Sequence, residues 1–416
     1  MLKRFFKDNQ TRKKCHIYQM LKNGKSHLSF HTPGHKVGKW DLTELSFSDN
    51  LSSPRGCIAK AERDVAQILH AHASFILTDG STSGVFSMLF AAKTLGVNTI
   101  ALPARVHKSA TNACQVLGIT ALPYSALEEI ESVLQSADAL FVVSPDYYGT
   151  IPPLKTLRAL CDQQNKLLLI DGAHGGHLHF SPDHYAGEFA DIWVDGVHKS
   201  LPALTQGAVV SAKTEKTAEA LREAVQIFRT TSPSYPIMAS VEYAVKYPRN
   251  ECLEQQVRKY ANTQPRVLVQ DDWTKLCARF GEQSFDVCQM LEKQGIFAEF
   301  CDGDFVVFYL SPATSLHAFK RLQSALDKLF RLYPLSQTQR LPAPVVLQKN
   351  NEEEWVELSS CEGRVCAKEC GLFPPCTSLF CRGEQITKEK LQLLQKAQNV
   401  YGVFENKICV FKEENV

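Results

Sequence analysis

The chain of 416 residues carries 46 Lys+Arg against 44 Asp+Glu, a formal net charge of +2, with 44% hydrophobic and 22% charged residues. At roughly 100–200 residues per domain this length calls for two or three domains, and the composition is that of a globular chain rather than a disordered one. The charge balance argues against nucleic-acid binding as the main task, because no basic field would gather phosphates. No apolar run approaches the ~18 residues needed to span a bilayer. The start, Met1 to Gln10, lacks the apolar stretch of a secretory signal, so the 14 cysteines read as reduced thiols of a cytoplasmic protein.

From about residue 65 to 215 two textures alternate. Short β-rich runs are expected at Phe75–Leu77, Thr99–Leu102, Ala139–Val143, Leu167–Ile170, Asp191–Val194 and Ala208–Val210. Helices are expected between most of them, over Val85–Leu95, Ser109–Leu117, Ala126–Gln135 and Leu154–Gln164. Strands alternating with helices of about 10–15 residues predict βαβ units and a mostly parallel sheet. Several runs are apolar throughout, as expected where helices cover both faces. Residues 214–246 and 250–295 read as helical and polar; a strand at Phe305–Leu310, a helix over Ser315–Leu332 and a linker over Pro334–Pro344 follow. The last seventy residues hold strands, a turn at Pro374-Pro375 and a helix over Thr387–Gln398. Ligands of such sheets sit beyond the carboxyl ends of the strands, so the residues just after each strand bear the reading.

Three constellations stand at strand ends. Asp79-Gly80-Ser81-Thr82-Ser83-Gly84 separates a strand from an apolar helix; glycines admit close backbone approach and a helix N-terminus favours an anion, although Ser and Thr are also ordinary caps. Asp171-Gly172-Ala173-His174 puts a carboxylate at the end of a buried strand, where a charge is costly unless paired. Asp195-Gly196-Val197-His198-Lys199-Ser200 places a lysine just past another buried strand, 28 residues after Asp171. A phosphate cradle, a strand-end Asp and a strand-end Lys in that order are what pyridoxal phosphate needs: a lysine to bind it covalently and a carboxylate to keep its pyridine nitrogen protonated.

The residues also carry a resemblance. Phe30-His-Thr-Pro-Gly-His-Lys36, Asp41-Leu-Thr-Glu-Leu45, Arg105-Val-His-Lys-Ser109, Ser144-Pro-Asp-Tyr-Tyr-Gly149, Asp171 to His174, His198 to Leu201 and Leu204-Thr-Gln206 resemble the major domain of the Orn/Lys/Arg decarboxylases. Gly363-Arg364, Pro374-Pro375 and Gly383-Glu384-Gln-Ile386 are similar to that family's C-terminal domain. The resemblance implies an α/β chain: an aspartate aminotransferase-like pyridoxal-phosphate large domain over 1–245, a helical connection with a small α+β region over 246–340, and a C-terminal domain over 341–416. It implies decarboxylation of lysine, arginine or ornithine, in the context of polyamine formation, by a homodimer or higher homo-oligomer without nucleic-acid or membrane partners. Lys199 would be the covalent anchor and Asp171 the partner of the pyridine nitrogen. His107 would stack on the ring and His174 would lie beside ring and substrate, completing the catalytic set. Ser81, Thr82, Ser83, Ala173 and His198 complete the cofactor-binding set, and Thr230 to Tyr235 resembles a segment that reaches the cofactor region across a dimer interface.

The chain departs from the family pattern at several positions. Gly172 stands where Glu is usual, Gly196 and Val197 where Ser-Thr is usual, Asp146 for a Thr, Val106 for an Asn, Cys376 for a Gly and Lys368 for a Glu. Loss of the Ser hydroxyl at Gly196 predicts weaker phosphate binding, restored by Gly196→Ser. A catalytically impaired family member with a regulatory role, or a transaminase or lyase on the same fold, are the alternatives. Asp171, His174, His177, His179, Asp183 and His184 have the donor types of a zinc site, as do Cys361, Cys366, Cys370, Cys376 and Cys381. The pyridoxal reading already uses two residues of the first group, and the second lacks any Cys-x₂-Cys, so no metal is expected.

Overall fold

A computed structural model of the chain describes residues 5–24, 28–36, 40–232, 234–334, 352–372, 377–397 and 399–412. The turn at Pro374-Pro375, Cys376 and all but the first residue of the expected linker lie outside them. Contacts gather the chain into two compact units: residues 1–104, 109–253 and 310–314, and residues 105–108, 254–309 and 315–416. The first expected segment falls mostly in the first unit, and most of the other two falls in the second.

The first unit is built on a seven-stranded sheet: β1 (Ala73–Leu77), β2 (Thr99–Pro103), β3 (Thr120–Tyr124), β4 (Ala139–Val143), β5 (Leu167–Gly172), β6 (Ile192–Asp195) and β7 (Ala208–Ala212), in the order β1-β7-β6-β5-β4-β2-β3. Pairs from β6 through β3 are parallel, and β7 runs antiparallel to both β6 and β1. Leu168, Leu169 and Ile170 of β5 and Ile192, Trp193 and Val194 of β6 are fully buried, which is why these runs are apolar on both faces. Each such side chain contributes roughly 1.5–3 kcal/mol on burial. The helix Ser81–Thr94 follows β1 and buries Val85, Met88, Leu89, Ala91 and Ala92. Gly84 lets it approach the sheet, since a Cβ there would lie 2.9 Å from both Leu77 Cδ1 and Val194 Cγ1.

The edge strand β3 was not expected: it is largely exposed and contains Pro123, which lowers any strand reading. Residues 250–295 are a second difference. They form the helix Glu251–Thr263, the strands β8 (Val267–Leu268) and β9 (Lys275–Arg279), and the helix Ser284–Lys293. With β10 (Phe300–Cys301) and β11 (Phe305–Tyr309) the strands make an antiparallel sheet ordered β10-β11-β9-β8. The helix Leu316–Leu332 is capped by Ser315 and buries Phe319, Leu322, Leu326, Leu329 and Phe330, the spacing of one apolar face. Two three-stranded sheets and the helix Lys388–Lys396 form the C-terminal part, whose core includes Cys361, Cys366, Cys370, Phe380 and Val410. No described helix is long and apolar enough to cross a membrane.

Candidate active site

The carboxyl ends of β1, β5 and β6 carry the three constellations. After β1 the chain turns at Gly80, whose φ of +86° suits glycine, and enters the helix Ser81–Thr94 with no side chain capping it. The first N–H groups of such a helix have no intrahelical partner and point at an incoming anion. Ser81 is half-buried and Thr82 exposed. The Ser83 hydroxyl is engaged within the loop, donating to Asp79 Oδ1 at 2.8 Å and to the Gly80 carbonyl at 3.0 Å. The Thr230 N–H donates to Asp79 Oδ2 at 3.4 Å, so the 230–235 segment starts beside the cradle of its own chain; Pro233 lies outside the described residues.

Asp171 is the penultimate residue of β5, in a buried position, and its Oδ1 accepts the Ala173 N–H at 3.0 Å. Burial pushes its carboxyl above the usual carboxylate range, and the charge of Lys199 opposes that shift. Lys199 lies on the short helix Val197–Ser200 directly after β6, and its Nζ is 3.2 Å from His174 Nε2. The ring of Tyr147 meets the His174 imidazole edge-on at 4.9 Å between centroids. His198 is held by Gly207: its N–H donates to the Gly207 carbonyl at 3.0 Å, and Nδ1 lies 2.9 Å from the same oxygen. Burial lowers the basicity of His198. The Gly80 N–H donates to the neighbouring Gln206 carbonyl at 2.9 Å, so one loop ties the cradle to the lysine-bearing turn.

The structure thus brings Asp171, Ala173, His174 and Lys199 together and links Ser81 to Ser83 and His198 to them through residues 206–207. His107 follows β2. It belongs to the tetrapeptide 105–108, which groups with the second unit, where Arg105 approaches the buried Glu384 at 4.0 Å and Lys108 lies over the Tyr401 ring at 5.8 Å. Glu384 is itself paired with buried Lys390, so the Arg105 and Glu384 motifs meet within that unit.

The departures have structural counterparts. Gly196 has φ −80°, so no left-handed backbone requires glycine; instead a Cβ there would lie 2.4 Å from the Ala173 carbonyl oxygen. The expectation that Gly196→Ser restores binding is therefore corrected, because the space for a side chain is taken by backbone. A Cβ at Gly172 would meet Val194 O at 2.9 Å and Asp195 Oδ1 at 3.2 Å. Val197 is buried in the core, and Asp146 braces its own turn by accepting the N–H groups of Tyr148 and Thr150 at 2.9 and 2.8 Å.

The residues from Asp171 to His184 do not gather around one point. His179 Nδ1 lies 2.7 Å from the Gly176 carbonyl and burial pushes its pKa down to about 4. Among the described residues the trio close enough to share an ion is His16, Asp64 and Glu242. Lys246 Nζ already occupies that position, 2.6 Å from Asp64 and 2.9 Å from Glu242, while Glu242 accepts the N–H groups of His16 and Ile17. The thiols of Cys361 and Cys366 donate to the carbonyls of Leu358 and Lys368, at 3.3 and 2.9 Å.

Sequence reading assigned no role to Asp195 or Tyr147. Asp195 carries the same signal as Asp171, an acid after an apolar strand; Tyr147 stands in the Ser144-to-Gly149 motif, but its approach to His174 exists only in the fold.

The strand order, the uncapped helix after β1 and the lysine after β6 define a pyridoxal-type large domain. Residues 22–270 match the model of the Orn/Lys/Arg decarboxylase major domain, and the chain belongs to that family. It is 26% identical to the uncharacterized protein YaaO of Bacillus subtilis, covering 93% of this chain and 96% of that one. It is likewise 26% identical to the arginine decarboxylase of Bacillus subtilis, with 91% and 93% covered. In fold it is similar to the constitutive lysine decarboxylase of Escherichia coli, at TM-score 0.70, 18% identity and coverage of 97% and 82%. The Francisella novicida lysine decarboxylase LdcF gives TM-score 0.72, 17% identity and coverage of 96% and 81%. The donor set fits the family's cofactor. Asp171 is a buried carboxylate whose described hydrogen bond is one backbone N–H, leaving capacity for a cationic ring nitrogen, and the uncapped first turn at Ser81 suits a phosphate.

Proposed function

We propose that this chain decarboxylates a basic amino acid, arginine, lysine or ornithine, with pyridoxal phosphate anchored on Lys199. The observation that carries the reading is the 3.2 Å approach of Lys199 Nζ to His174 Nε2, with the charge of Lys199 acting on the buried Asp171. When bound, the cofactor supplies an electron sink for the pair left at Cα as CO₂ departs. The Ser81 and Thr82 N–H groups and hydroxyls hold the phosphate, with His198 nearby. Asp171 holds a positive charge at the ring nitrogen in a dry setting, where such an interaction is strong. Lys199 and His174 are within proton-transfer reach of each other, so either can deliver a proton to Cα and be reloaded by its neighbour. The stacking role that the family pattern gives to His107, a cytoplasmic location and a homodimeric working unit belong to the same proposal.

The test is CO₂ release from each of the three amino acids, with detection of the amine product, on protein loaded with the cofactor. Borohydride trapping should label Lys199. Loaded, correctly folded protein that releases CO₂ from none of them would overturn the decarboxylase reading, and a label on another lysine would overturn the anchor.

A further inference from the structure

Asp195 ends β6 four residues before Lys199 and is 1% exposed. One oxygen, Oδ2, accepts from the Tyr185 hydroxyl at 2.8 Å and from Trp193 Nε1 at 3.1 Å; both donors are neutral. The other, Oδ1, is buried with no hydrogen-bond partner. No described cation pairs with this carboxyl. In the β5–β6 register Gly172 lies opposite Asp195 and Asp171 opposite Val194, so the two acids project from opposite faces at the same end of the sheet. A side chain at position 172 would press on Oδ1, so the carboxyl stands where the missing side chain would begin. An isolated ion in this setting is costly, and two ions at one buried strand end more so.

We propose that Asp195 is a positioning residue of the site: a neutral carboxylic acid, clamped by Tyr185 and Trp193, that leaves Asp171 as the ionised member of the pair and holds the turn carrying Lys199. The role toward Lys199 rests on the pyridoxal reading. The titratable groups acting on Asp195 are Tyr185, from the turn before the helix Ala186–Phe189, and Asp171 on β5; the adjacent Gly176 brings no charge. Burial, with a smaller push from Asp171, raises its carboxyl from 3.8 to about 7. Ionisation of Asp195 above that point adds a second negative charge acting on Asp171, which strengthens proton retention on the group that Asp171 serves.

Two measurements decide it. In full-length apoprotein carrying ¹³C in the aspartate side-chain carboxyls, infrared spectra should show a protonated-aspartate carbonyl band that disappears with a midpoint near pH 7. Asp195→Asn should remove the band, and Tyr185→Phe, which deletes a donor to the ionised form, should move the midpoint up by roughly one pH unit. No such band at pH 6, or a band that survives Asp195→Asn, overturns the ionisation. In loaded protein the absorbance of lysine-bound pyridoxal phosphate should shift with pH through a near-neutral step that Asp195→Asn abolishes; superimposable profiles overturn the positioning role. Absence of cofactor uptake overturns the reading of the site and that role together, whereas the infrared band on apoprotein stands apart from it.

Discussion

Two aspartates that look alike in sequence have different surroundings in the structure. Asp171 has the charge of Lys199 nearby and one backbone donor, whereas Asp195 has neutral donors on one oxygen and nothing on the other. Asp171→Asn is isosteric and keeps an acceptor for the Ala173 N–H, so the fold and cofactor uptake should persist while turnover falls by at least ~100-fold, the scale expected when one preorganised charge is lost. Single-turnover rates on loaded protein check this, and undiminished turnover refutes the assigned role. For Asp195 the prediction concerns stability. Its folded pKa of about 7 lies above the ordinary 3.8, so its neutral form costs nothing extra below pH 4, and the penalty grows until about pH 7. Relative to wild type, Asp195→Asn should gain stability between pH 4 and pH 8 by up to about 4 kcal/mol, read from urea unfolding at both values. A difference that is the same at both pH values refutes it. The strand-end acids were legible because a charge after three or four apolar residues is conspicuous, and Lys199 because it closely follows the second of those strands. Which acid has a cationic neighbour was not, because that depends on the faces from which the side chains leave a register that no single strand encodes.

At the scale of elements, β4, β5 and β6 were readable because strands buried on both faces cannot hide their apolar character, and the helix Leu316–Leu332 because its apolar positions repeat at helical spacing. The misses have the converse cause. β9 reads Lys-Leu-Cys-Ala-Arg, without β-branched residues, and its burial of Lys275 beside Asp272 at 3.1 Å and under Tyr309 is a tertiary arrangement. The same coupling between elements governs the glycines. Position 196 looked like a lost phosphate ligand, yet it is the point where the β6 turn rests on the β5 end, with 2.4 Å between a would-be Cβ and the Ala173 carbonyl. A side chain there must displace Ala173, whose N–H holds Asp171. Gly196→Ser should therefore weaken pyridoxal phosphate binding, by about tenfold or more for each ~1.4 kcal/mol of displacement, and lower the melting temperature. Equilibrium dialysis and thermal unfolding measure both; tighter binding with an unchanged melting temperature would restore the original expectation.

Across the whole molecule, burial is not uniform. The first unit is braced deep inside by Arg229, which pairs with Glu62 at 3.0 Å and donates to the carbonyls of Leu51 and Ile76, tying the helix Cys57–Ile68 and β1 to the end of the helix Glu215–Phe228. Removing one member of such a pair strands a buried charge, so the loss of either Arg229 or Glu62 should be strongly destabilising. The stretch around the His31-to-Lys36 motif contrasts with it. Leu28 and Phe30 are 86% and 90% exposed, Phe47 is 43% exposed, and Thr231 and Ser232 are also exposed. Large apolar side chains left in water beside motif residues suit a face covered by a second copy of the chain, and a self-complementary twofold contact is the commonest way to cover one. Phe30→Asp should therefore shift the protein from dimer toward monomer in light scattering while leaving the buried core untouched. If the partner also completes the site, mixing inactive Lys199→Ala with an inactive Thr231→Asp variant should regenerate about a quarter of wild-type activity, because half the dimers are mixed and each holds one intact site. A wild-type protein that is fully active as a monomer ends the proposal. So does a dimer whose mixed variants stay inactive after subunit exchange has been verified, because Thr231 would then serve only its own chain, as Thr230 does through Asp79.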